Sequence, residues 1–121
     1  MKFTGRSKRS LIRLNNKMLT LLGFAAKAGK LSFGMDAAAG SLKAKKAYLA
    51  VAAGDVSQKS QKEIAFFAGK GNVQFLVLKG FNINAVSDAV GRRCGIITIN
   101  DSGFADAFLK AYTEGGNAYD E

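Results

Sequence analysis

The side chains most suited to chemistry in this chain are its cations. Lys27 and Lys30 close one helical pattern, Lys43, Lys45 and Lys46 close a second, and Arg92 and Arg93 precede the last apolar run. Gly34 stands between the first two clusters, immediately before a helix, with Met35 and Asp36 after it. A helix N-terminus presents free backbone N–H groups and partial positive charge, which together seat a phosphate. Asp36, in the first turn, can accept hydrogen bonds from base amino groups, and the Met35 side chain can lie against a base. Lys30, Lys43, Lys45 and Lys46 would hold phosphates. The pattern predicts that these groups and the arginine pair converge around the start of one helix to cradle a structured RNA.

Other chemistries have weaker support. There is no histidine, which removes the commonest general base and metal ligand. Cys94 has two adjacent arginines to favour a thiolate but no base to activate it, and it fits better as a small residue entering a strand. Asp55 and Asp101 follow apolar runs where α/β sites form, yet both also suit helix caps. Gly23–Lys30 has five residues between its glycines, and Leu31 stands where a phosphate loop needs a hydroxyl. No cofactor and no metal site are expected.

The elements that must position these groups follow from periodicity. Leu11, Leu14, Met18, Leu21, Leu22, Ala25 and Ala28 recur at helical spacing, and Gly29 suits a left-handed cap. Residues 30–33 form a short segment, and residues 35–44 an Ala-rich helix. Ala47–Ala53 is an unbroken apolar run, and the theme returns at Val73–Leu78 and Gly95–Ile99. Helical stretches lie between them at 57–69 and 82–91, and Asp101 or Ser102 caps a last helix carrying Phe104, Phe108 and Tyr112. Alternation of this kind predicts a mixed, mostly parallel four-stranded sheet with helices on both faces, a single-domain α/β/α sandwich. Residues 1–10 read as a basic arm, 11–112 as the domain, and 113–121 as an acidic tail.

Composition bounds the function. A length of 121 residues suits one core, and 48% hydrophobic content is too apolar for a disordered chain. The formal charge of +9 is lopsided: residues 1–46 hold eleven basic side chains against one acid, residues 47–121 seven against eight. A field so concentrated implies a polyanionic partner. One cysteine suits a reducing cytoplasm. No apolar run reaches the roughly 20 residues of a membrane span. The basic, acid-free N-terminus also has the composition of an organelle transit peptide.

From about Asn16 to Tyr112 the sequence resembles bacterial YlxQ-type proteins of the ribosomal kink-turn-binding superfamily. The resemblance rests on LGFAAKAGKLSFG (Leu22–Gly34), AYLAVAAGD (Ala47–Asp55), AVSDAVGRRCGIITINDSGFA (Ala85–Ala105) and the closing phenylalanine helix. It implies a three-layer α/β/α domain that binds RNA and associates with ribosomes. In such relatives the second helix opens with glycine, a variable residue, Asn-Glu, and a lysine four residues after the Asn. Here Gly34 matches the glycine, while Asp36, Ala37 and Gly40 replace the other three. Replacing the Glu and Lys removes two charge-assisted contacts, each worth about 1.5–3 kcal/mol. The loop that contacts extruded nucleotides in relatives matches Arg92, Arg93 and Cys94.

The expectation is a non-catalytic, cytoplasmic RNA-binding protein with ribosomal RNA and the ribosome as partners and no membrane association. The rival from another class is a protein-interaction module that kept the fold and lost RNA specificity. A third reading, an enzyme built on Asp55 and Asp101, has the least support.

Overall fold

Five residues, Leu49–Ala53, form a strand every one of whose side chains is buried. Small and branched apolar groups without a polar break can sit only between two covering layers. The computed structural model describes residues 17–116; the predicted arm at 1–10, the start of the first helix and residues 117–121 lie outside them. Within it, residues 17–27 are helical (α1). There follow β1 (Leu31–Phe33), α2 (Gly34–Lys43), β2 (Leu49–Ala53), α3 (Gln58–Lys70), β3 (Gln74–Leu78), α4 (Ile83–Val90), β4 (Ile96–Ile99) and α5 (Ser102–Ala111). A wider helical turn at Tyr112–Gly116 continues from α5.

The two faces of the sheet carry separate cores. Leu49, Val51, Ile97 and Ile99 face Met18 and Leu22 of α1, Val86 of α4 and Phe108 of α5. Ala50, Ala52 and Ile96 face Ala38 and Leu42 of α2 and Ile64 and Ala68 of α3. Alanine dominates the second face, so α2 and α3 approach the sheet closely. A polar strip runs under α2: Thr98 donates to Asn100 Oδ1, Asn100 Nδ2 donates to Ser32 Oγ, and Ser32 and Ser41 share a hydrogen bond. Each buried hydroxyl there has a partner, as burial requires.

The strand order is β1-β4-β2-β3. Strand β2 pairs in parallel with β3, but β4 is antiparallel to both β2 and β1. The expectation of a mostly parallel sheet is therefore corrected: it is mixed, and two of its three pairings are antiparallel. Unbroken apolarity reports burial on both faces, and an antiparallel strand between helix layers meets the same condition.

The reversal of β4 has a local cause. Helix α4 has eight residues and rises only about 12 Å. Gly91, at φ +78°, then turns the chain back along the same helix. The Ser87 hydroxyl donates to the Cys94 carbonyl at 3.1 Å and accepts from the Cys94 N–H at 3.0 Å. The chain thus re-enters the sheet at the end it left and must run against β3.

Candidate nucleic-acid interface

Gly34 opens α2 with φ +86°, a conformation glycine adopts without steric cost. The residue before it, Phe33, is the N-cap and offers no side-chain acceptor. Helices α3, α4 and α5 are each closed at this end by a side chain, from Ser57, Asn82 and Asp101 respectively. Helix α2 thus differs from α3, α4 and α5 in having no side-chain cap on its first turn.

The loop between α4 and β4 reaches this helix start. Arg92 places its guanidinium over the Phe33 ring, Cζ 4.8 Å from the centroid, a cation–π contact. Arg93 Nη1 donates to Asn84 Oδ1 on α4. The loop before α3 supplies the third side: the Asp55 carboxylate accepts from Ile83 N at 2.7 Å. Between them runs a groove lined by Gly34, Met35, Val56, Ser57, Ile83 and Gly95. Two serines, Ser57 and Ser60, share its lining with the apolar side chains, and Asp36, Arg92 and Arg93 stand exposed in the segments around it. Gly95 is required where it stands, because an added Cβ would lie 2.8 Å from Val56 Cγ2 and 3.1 Å from Ile83 Cγ1.

The predicted site residues separate into two groups. Gly34, Met35, Asp36, Arg92 and Arg93 come together at the end of the sheet where β2 finishes and β4 begins. Lys30, Lys43, Lys45 and Lys46 lie at the opposite end, where β1 and β2 begin. Nine helical steps put Lys43 about 14 Å from Gly34 along the axis, and four extended steps put Lys30 about 13 Å away. The single cradle drawn from sequence is therefore corrected: the lysines belong to another surface.

Cys94 is also corrected. Its side chain is buried at 6% exposure, and its backbone N–H and carbonyl are both taken by Ser87. Burial pushes its thiol pKa up, against the opposing pull of Arg92. It holds the loop in place rather than facing a ligand. Asp55 and Asp101 act as caps: the latter accepts from Phe104 N at 2.9 Å.

Sequence reasoning missed Phe33, Asn84 and Ser87, which hold the arginine loop. The aromatic directly before Gly34 was the available signal for Phe33; the other two gave none, because their partners depend on how the loop doubles back.

No family model matches the chain, and no curated protein matches it. Among solved structures, it is similar to a protein of unknown function from Bacillus halodurans, with a TM-score of 0.76 over 80% of this chain and 97% of that one at 22% identity. The architecture is shared. The Giardia lamblia 15.5kD RNA-binding protein has it too, with a TM-score of 0.66 over 87% of this chain and 89% of that one at 14% identity. At these identities the likeness concerns the fold. No helix among the described residues is long and apolar enough to cross a membrane.

Proposed function

We propose that this chain is a non-catalytic, cytoplasmic RNA-binding protein, a YlxQ-type member of the kink-turn-binding superfamily that works on ribosomal RNA. Its interface is the start of α2 together with the Gly91–Gly95 loop. The observation that carries this reading is the contact of Arg92 with Phe33, which brings a fixed cation beside a helix start without a side-chain cap. The fold it shares with an RNA-binding protein supports the same ligand class.

The roles divide by chemistry. Backbone N–H groups of the first turn of α2 and the two guanidinium groups hold phosphates. Asp36 accepts from exposed base amino groups, and Met35 with Val56 and Ile83 in the groove lies against a base that has left its stack. Asp36, Ala37 and Gly40 at the positions where relatives carry Asn, Glu and Lys relax the demand for one kinked sequence. Phosphate and shape contacts carry the affinity instead. The capping roles of Asp55 and Asp101 and the buried thiol of Cys94 weigh against a catalytic reading.

A titration of the full chain against a structured RNA at several salt concentrations tests this. With about two phosphates neutralised at this surface, log affinity falls with log salt at a slope of about −1.4 to −1.8. Arg92→Ala with Arg93→Ala flattens that slope and weakens binding by about tenfold or more. A salt-independent affinity, or a double variant that binds like the parent, would refute the proposal.

A further inference from the structure

Two of the lysines displaced from the first surface, Lys43 and Lys45, line a second one together with Lys70 and aromatic side chains. Lys43 Nζ lies 4.8 Å from the Phe67 ring centroid, and Lys70 Nζ lies 5.3 Å from that of Phe66. The two rings meet edge to face at 5.6 Å. Lys43, Lys45, Phe67 and Lys70 line a recess between the C-terminal ends of α2 and α3. Phe66 remains 59% exposed, although an apolar ring gains from burial. Lys62, Phe66 and Lys70 follow at four-residue steps, so they share one outward stripe of α3.

We propose that this face binds a segment of single-stranded RNA, with a base stacked on Phe66 and the flanking phosphates held by Lys62, Lys70 and Lys43. An aromatic ring set among cations is the arrangement that grips unpaired strands without reading sequence. Charge complementarity selects a polyanion, and the exposed flat ring selects one that carries bases over an acidic peptide. The surface lies at the opposite end of the sheet from the Arg92 loop, so the two can act on one RNA molecule at separate points. Its existence does not depend on the first site.

The chain has no tryptophan, so Phe66→Trp introduces a single fluorescent reporter where the base would stack. The experiment titrates this full-length variant with a ten-residue oligouridylate and, in parallel, with polyglutamate of equal length. It is repeated with Arg92→Ala and Arg93→Ala added. The proposal expects saturable quenching by the oligouridylate, unchanged by the arginine substitutions, and little response to polyglutamate. In the otherwise unaltered chain, Phe66→Ala weakens oligouridylate binding by about tenfold, read by anisotropy of the labelled strand. Equal quenching by both polymers would show a charge-only surface and overturn the proposal, as would no quenching. Quenching that disappears with the arginine substitutions would assign the strand to the first site and overturn it as well.

Discussion

The guanidinium of Arg92 lies over the ring of Phe33, with 4.8 Å between Cζ and the ring centroid. One residue belongs to the loop entering β4 and the other caps α2, so the contact joins the two segments of the proposed RNA surface. Removing the ring should therefore act through the arginine. Phe33→Leu keeps an apolar side chain in the partly buried site and removes the π face. RNA affinity falls about three- to fivefold, as expected for a partly exposed cation–π contact. Arg92→Ala falls at least as far, and the two together fall by less than the sum, because they report one interaction. Anisotropy with a labelled structured RNA measures all three.

Gly34 has open space around the position of a Cβ, yet its φ is +86°. Gly34→Ala thus meets no clash and pays only for the backbone conformation, about 1–2 kcal/mol of stability. Urea unfolding followed by circular dichroism reads this as a lower midpoint with an unchanged slope. Gly54→Ala should cost more, because the new Cβ would lie 2.9 Å from the Leu78 carbonyl oxygen.

Asp55 accepts from Ile83 N across 28 positions of sequence, tying the loop after β2 to the start of α4. Asp55→Ala leaves that amide without its carboxylate and costs about 1–2 kcal/mol. RNA affinity at low temperature stays within twofold, since the carboxylate is a cap in this account. Stability and binding measured on the same preparation separate the two roles.

Cys94 binds its proton more tightly in the fold than in the unfolded chain, because burial raises its pKa more than Arg92 lowers it. The native state then holds more protons than the unfolded state as pH passes upward through the ordinary thiol range, near about 8.5. The resulting stability is complete below that range and is lost as pH rises from it through the raised native value. Cys94→Ala removes this component, so its urea midpoint declines less between pH 7.5 and pH 10 than the parent's, those limits lying about one unit or more on either side of that range. Iodoacetamide should also modify native Cys94 far more slowly than the unfolded thiol at pH 8, about half a unit below it.

Much of the fold is written locally. Ser57 and Asp101 are caps in sequence and in structure, and each accepts from the backbone N–H three residues on; Asn82 does the same for α4, which the sequence reading did not mark. The apolar run Ala47–Ala53 announces a strand buried on both faces, and the strand occupies Leu49–Ala53 of it. Strand direction is not written that way. It depends on Gly91 turning the chain back and on Ser87 fastening Cys94, a pairing of residues seven apart that no period reveals. The site divides similarly. Gly34 is recognisable because it alone fits the turn into α2, and Arg92 and Arg93 because they are adjacent cations in a loop. Lys43 was misplaced because proximity in sequence to Gly34 hid the length of the helix between them.

The most direct measurement is a map of backbone amide shifts in the 12.8 kDa chain, by nuclear magnetic resonance, as a structured RNA is added. The account predicts that the first amides to move are those of Gly34–Ala37 and of Arg92–Gly95, with the Arg93 side chain leaving Asn84. Shifts confined to the C-terminal ends of α2 and α3, with Gly34 and the arginine loop unmoved, would contradict it.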